Sequence, residues 1–366
     1  MKLHSRIKSL LIYSFIACGV VSCKKEAHYA YPVKEFDPDQ ISEVVIDGTK
    51  TDLIFSDPWQ TVMIDSLLIV QVKEPTCFLG VYNTKDMSRM MGLCTIGNAR
   101  NEFNRTFYLL SQTYRKGGDA FITTIDKYLY VKEVNLTESM KTGHTVVSNS
   151  CEYPSFNFDN KFLFVDNDIT NLFLYKNQVA FHEDDFHGEY SVTNFKTMEK
   201  KVINVFPKPM RSGAESMRYY SSGAIYKHPE RNLFVQACGY MDYLLFFDID
   251  ADNGFAVHKK GSTTFDDVAP DGRTLKFARG CLATKDYFFA LYCEYKNDEN
   301  GDEVCETKLY IFDWEGNLRK NIKLNPNVID LTYNEETKIL YGLDTPDDPK
   351  NGYEQTLYTF DMSGVF

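Results

Sequence analysis

The sequence predicts an all-β fold, a six-bladed β-propeller with four antiparallel strands per blade. Three observations carry this. Pairs of short apolar runs rich in Phe, Tyr, Leu and Val recur at roughly 40–65 residue spacing, the signature of a repeated four-stranded unit. The second run of a pair repeatedly ends in Asp or Asn before a turn, at Asn83, Asp248, Asp313 and Asp361. No long amphipathic helical pattern interrupts the runs. A seven-bladed ring is the alternative blade count, and a pair of β-sandwiches is the runner-up fold.

The chain opens with a targeting segment. Lys2, Arg6 and Lys8 precede an apolar run from Leu10 to Val21. At about a dozen residues, that run is too short to span a bilayer. It ends in Val20-Val21-Ser22-Cys23, which reads as a lipoprotein signal cleaved before a lipidated Cys23. Residues 1–22 are thus the signal and 23–40 a lipidated tether carrying Pro32 and Pro38. Residues 41–366 are the propeller. No Asp follows Cys23, and only Glu26 is acidic nearby. Both features point to an outer-membrane lipoprotein, on the periplasmic face rather than the cell surface. Membrane contact is then expected through the anchor alone.

The strand pairs follow in order. Leu67–Val72 leads to Cys77–Asn83, and Phe121–Ile125 to Tyr128–Val131. Phe162–Val165 leads to Leu172–Tyr175, and Leu233–Ala237 to Tyr243–Asp248. Phe288–Tyr292 leads to Leu309–Asp313, and Ile339–Leu343 to Thr356–Asp361. Residues 135–145 and 195–201 are the two short helix candidates. Ile41–Ile46 is a strand pattern with no partner nearby in sequence, so the strand near Val44 is expected to close the last blade from its outer edge. Asp313-Trp314-Glu315-Gly316-Asn317 has the composition of a tight turn with positive φ, joining a third strand to a fourth. Asn83–Asp86 and Asp361–Gly364 stand at the same stage of their units.

Charge bounds the partners. Residues 1–22 carry three basic and no acidic residues, so the net charge of −11 becomes −14 on their removal. Such acidity argues against nucleic acid and against an anionic membrane surface. Cys18 and Cys23 aside, seven cysteines remain of nine, an odd number without a Cys-x-x-Cys motif. Cys293 and Cys305 flank a hairpin with its tip near Asn300-Gly301 and are the best candidates for a disulfide.

Three places resemble the TolB-like six-bladed propeller lipoproteins of Bacteroides-type bacteria. They are the Val20–Cys23 lipobox, the segment Ile96-Gly97-Asn98-Ala99-Arg100-Asn101-Glu102-Phe103, and the run Tyr287–Tyr292. The middle segment is similar to a family pattern Gly-x-Gly-x-x-Glu-Phe, without its second and third glycines. The resemblance implies an outer-membrane propeller. It implies no established activity and supplies no catalytic residues.

No nucleophile, phosphate-loop or zinc motif stands out, so no catalytic residue, metal or cofactor is expected. His182–His187 and Asn297–Glu303 are rich in carboxylates and read as a solvated loop and a hairpin tip. Loops entering the inner strands bring Tyr153, Arg211, Arg218, Tyr219 and Arg279 into consideration as a ligand-binding mouth for a protein, peptide or glycan. The expected function is a binding or scaffold module with an unknown ligand. A propeller hydrolase or lyase acting on carbohydrate or lactone is the alternative, and it requires carboxylates or histidines converging on the axis.

Overall fold

The computed structural model describes residues 32–72, 74–99, 101–103, 107–126, 130–152, 160–165, 171–178, 187–194, 197, 199–203, 223–239, 241–248, 253–262, 277, 280–297, 303–344 and 354–366. Three N-terminal strands, Val33–Phe36 (β1), Glu43–Asp47 (β2) and Thr49–Ser56 (β3), precede the repeats.

Blade 1 is Gln60–Ile64, Leu67–Gln71, Cys77–Asn83 and Arg89–Thr95 (β4–β7). Blade 2 is Phe107–Lys116, Asp119–Asp126, Tyr130–Asn135 and Val147–Glu152 (β8–β11). Blade 3 is Asn160–Val165, Asn171–Gln178, His187–Asn194 and Lys200–Ile203 (β12–β15). Blade 4 is Gly223–Lys227, Leu233–Cys238, Tyr243–Asp248 and Asn253–Lys259 (β16–β19). Blade 5 is Leu282–Ala283, Tyr287–Asn297, Glu303–Asp313 and Leu318–Asn325 (β20–β23). Val328–Asn334, Ile339–Asp344 and Glu354–Asp361 (β24–β26) end the chain. The innermost strands touch in cyclic order, β4 to β8, β12, β16, β20, β24 and back to β4. Ring closure leaves no long free sheet edge at the centre.

This topology corrects the expectation of six four-stranded antiparallel blades. Consecutive chain builds five blades of four antiparallel strands each. The remaining sheet is a composite, in which β24–β26 are completed by β3 from the other end of the chain. Blades 4 and 5 each carry a fifth strand, parallel rather than antiparallel: β1 lies along β19 and β2 along β23. No seventh sheet occurs among the described residues. The strand near Val44 is β2, so it widens blade 5, and β3 is the closing strand. The reason lies in register. Val44 and Val45 are exposed on an outer edge, whereas β3 buries Phe55 against Tyr82 of blade 1.

Residues 33–40, read from sequence as tether, are ordered. Phe36 is buried with its ring edge-on to Tyr310 and Phe312, at 5.7 and 5.1 Å between centroids. Pro38–Gln40 form a 3-10 turn capped by Asp37. Together β1, β2 and β3 belt the outer edges of blade 4, blade 5 and the composite sheet. Polar ties hold the belt: Lys260 to Asp37 at 2.8 Å, Lys308 to Glu43 at 2.6 Å, and Asn325 to Asp47 at 2.7 Å.

Of the helix candidates, the first forms as α1, Leu136–Thr142. Asn135 caps it by accepting from the Glu138 amide, and Gly143 ends it at φ 74°. The second does not form a helix at its described residues: Thr197 lies in a turn, and Lys200 and Lys201 belong to β15. The Asp313 turn joins the third strand of blade 5 to the fourth as expected, with Gly316 at φ 80°. The Asp313 carboxylate accepts from the Asn317 amide and from Arg319, and Trp314 is buried with its indole N–H donating to the Thr284 carbonyl.

The Ile96–Phe103 segment connects blades 1 and 2. Glu102 folds back to accept from the Ala99 amide at 2.8 Å, and Phe103 is fully buried under the Lys132 ammonium. A Cβ on Gly97 would fall 2.0 Å from the Glu102 carboxylate, so the fold-back requires glycine there.

Candidate functional site

The ring encloses a partly open axial cavity of about 410 Å³. Its walls come from β4, β8, β16, β20 and β24 and the turns that follow them. That volume lies within the range of small-molecule sites.

Asp330 on β24 anchors the wall. Across the closing seam, the Thr61 amide and hydroxyl on β4 both donate to one Asp330 oxygen, each at 2.6 Å. The Leu331 amide also donates to the carboxyl. Burial nevertheless pushes its pKa up to about 6, against the pull of these hydrogen bonds. Among the described residues, no cation acts on it.

Gly280 makes this arrangement possible. A Cβ there would lie 2.3 Å from the Asp330 Cα, so the chain entering blade 5 can pass this close only as glycine. The next residue, Cys281, is buried and bonded to the Tyr226 hydroxyl. Burial pushes the thiol up to about 12 and Tyr226 well above the usual phenol range. Cys281 is therefore a protonated structural thiol at neutral pH, not a nucleophile.

The other end of the cavity is held by turns. Asp65 occupies the two-residue turn from β4 to β5 at φ 53°, a conformation Asp tolerates better than most residues. It is clamped by the Arg115 guanidinium. His228 accepts from the Glu230 and Arg231 amides on Nδ1, at 3.0 and 3.1 Å, and bonds the Lys285 backbone. Burial and the nearby Arg231 charge push it down to about 4, so it is neutral. Its ring nitrogens are committed to shaping the turn. Tyr333 also lines the wall; its hydroxyl is buried with no hydrogen-bond partner, and burial pushes it up to about 12.

The sequence-predicted mouth residues Tyr153, Arg211, Arg218, Tyr219 and Arg279 lie outside the described residues, as do Cys23 and the loop 182–186. Phe277, beside Arg279, is a core residue packed edge-on against Tyr292. The hairpin carrying Cys293 and Cys305 forms, but its register does not match them. Cys293 faces Thr307 and Cys305 faces Tyr295, one diagonal apart. Diagonal pairs stand roughly 7–8 Å apart, beyond ordinary disulfide reach. Sequence reading missed Asp330, Thr61, Tyr226, Cys281 and His228. The one available signal was a carboxylate within the apolar run Val328-Ile329-Asp330-Leu331.

No family model matches the chain, and no curated protein matches it. Solved structures do resemble it. A protein from Bacteroides fragilis named as exported aligns over 90% of this chain and 98% of its own, at 10% identity and TM-score 0.48. A member of the DUF4221 family from Bacteroides vulgatus aligns over 86% and 98%, at 11% identity and TM-score 0.48. The β-propeller domain of Cps50 (Swd1) from Myceliophteria thermophila aligns over 85% and 99%, at 9% identity and TM-score 0.42.

Proposed function

We propose that this chain is an exported, lipid-anchored propeller of the bacterial envelope that binds a small ligand in its axial cavity. The observation that carries the binding reading is Asp330, a carboxyl set in the wall of a 410 Å³ cavity. Its position is fixed by two bonds from Thr61 across the ring closure. Burying a carboxyl that meets no counter-charge among the described residues costs stability, and a perturbed carboxyl in a cavity is a functional-site candidate. The Val20–Cys23 lipobox supports anchoring at Cys23, and its flanking residues support the periplasmic face of the outer membrane. The exported name of the Bacteroides fragilis protein agrees with an envelope address. The TolB-like family label rests on the three short segments above.

Two experiments test this. Ligand-observed NMR of the purified protein against a small-molecule library should give hits displaced by Thr332→Trp, which fills the cavity; hits insensitive to it would move the site elsewhere. Mass spectrometry of membrane-extracted protein should find an acylated Cys23 as the first residue, and Cys23→Ser should release the body from the membrane fraction. An unmodified N-terminus would end the anchor proposal.

A hydrolytic reading has one observation in its favour: a carboxyl at about 6 suits a general acid. Acid–base hydrolysis needs a second group facing the same ligand; of the other carboxylates in the wall, Asp65 is held by Arg115 and Glu335 and Glu336 are exposed, and neutral His228 is committed to its turn. No group of three metal-ligating side chains gathers among the described residues. Binding is therefore the preferred reading.

A further inference from the structure

The charge of the cavity wall selects its ligand, and this rests on the binding reading above. Among the described residues four carboxylates line the cavity, Asp65, Asp330, Glu335 and Glu336, against one cation, Lys227. These groups are not equivalent. Asp65 is neutralised by Arg115. Glu335 accepts from the Lys285 amide at 3.4 Å, at the exposed end. Lys227 turns its ammonium to the His228 carbonyl at 3.1 Å. The Asp330 carboxyl is subject to burial, and its bonding partners among the described residues are a hydroxyl and amides. Hydrogen bonds from neutral donors fix a carboxylate's direction but leave its charge uncancelled. Buried charges are ordinarily paired. Among the described residues no positive charge meets Asp330, and the open space beside it is where one can arrive.

We propose that the axial cavity takes a compact organic cation, an amine or guanidinium on a short carbon frame, with its positive end seated against Asp330. Glu335 and Glu336 at the rim draw the cation in, and the apolar walls from Val62, Met63 and Leu331 cover its frame. The mature chain's net negative charge acts in the same direction. The Tyr333 hydroxyl, buried in the same wall, offers a further acceptor.

Isothermal titration with 1,4-diaminobutane, against 1,4-butanediol and glucose as neutral probes, tests this on the purified protein at pH 7.5. The diamine should bind and the diol should not. Asp330→Asn should weaken the diamine at least tenfold, and Glu335→Gln with Glu336→Gln should slow its association. The variants are checked for folding by thermal unfolding. As a readout independent of the variants, the Asp330 carboxyl ¹³C titration should move to lower pH when the diamine is present. Equal binding of diol and diamine, or an unchanged Kd in Asp330→Asn, overturns the cation. A neutral probe that binds alone and is blocked by Thr332→Trp overturns the cation but keeps the cavity as a binding site. Failure of all three probes overturns the cation, and if the library screen also finds nothing blocked by Thr332→Trp, the binding reading falls with it.

Discussion

Two sectors of the ring are built differently. From blade 4 through blade 5 to the composite sheet, the core is aromatic: Phe246 packs face to face on Phe255 at 4.9 Å and edge-on to Phe288 and Trp314. Between blades 1 and 2 the core is mostly aliphatic, with Leu79, Val81, Leu93, Ile122, Val134 and Leu136, and Phe103 is the one ring among its described buried residues. The belt of β1, β2 and β3 runs along the aromatic sector and contributes Phe36 to it. The sector along which distant chain segments are added is thus the more aromatic of the two. Aromatic pairs add about 0.5–1.5 kcal/mol each beyond area burial.

The largest test of this contrast is Phe246→Ala. It should cost about 4 kcal/mol in denaturant unfolding, against about 3 kcal/mol for Leu93→Ala in the aliphatic sector. Equal losses would erase the distinction. Next is Gly280→Ala, where the new methyl meets backbone. It should cost about 2 kcal/mol and shift the amide resonances of β24 more than those of blade 2. A silent substitution would mean that the approach to Asp330 is looser than described.

Asp330→Asn sharpens the seam between the sectors. A folded pKa raised to about 6 from 3.8 means that the group's favourable contribution is complete below pH 4 and lost as pH rises through 6. The variant should therefore be about 1–2 kcal/mol more stable than the parent at pH 8, with the gap closing toward pH 4. His228 acts with the opposite sign. Its pKa, depressed to about 4 from 6.5, gives stability present above pH 6.5 and lost as pH falls toward 4. A parent pH profile without these opposed slopes, read against Asp330→Asn and His228→Asn, would sink both assignments. The smallest effect belongs to the belt. Lys308→Ala removes contacts to Glu43 at 2.6 Å and Glu294 at 3.7 Å, and should cost about 1 kcal/mol, less in high salt. No salt dependence would mean that this ion pair does not hold the belt.

The same contrast explains what the sequence could reveal. The apolar runs visible in it are mostly the second and third strands of each blade, such as β17–β18 and β21–β22. Packed on both faces, these read as continuous hydrophobic stretches. Inner strands carry Thr61, Asp330 and Thr332 toward a cavity, and so break the pattern. Blade 3 is the exception, since its visible pair is the first and second strand, β12–β13. β1 was invisible because three of its four residues are exposed and its partner lies in blade 4. The blade count read from six pairs missed that the last sheet borrows β3 and that two blades gain parallel strands. The Asp330 site was the least legible. It depends on a threonine 269 residues away, and local sequence carries no trace of that distance.

The belt also dictates an order of events. Its contacts join residues 223, 278 and 310 positions apart: Asp37 to Lys260, Asp47 to Asn325, and Thr49 to Thr359. Contacts of such separation are the slowest to form in any chain. The first strands thus wait in turn for their seats, β1 for β19, β2 for β23 and β3 for β26, and the ring stays open until β26 has followed. A chain that stops before Glu354 lacks β26, and β3 then has nothing to pair with.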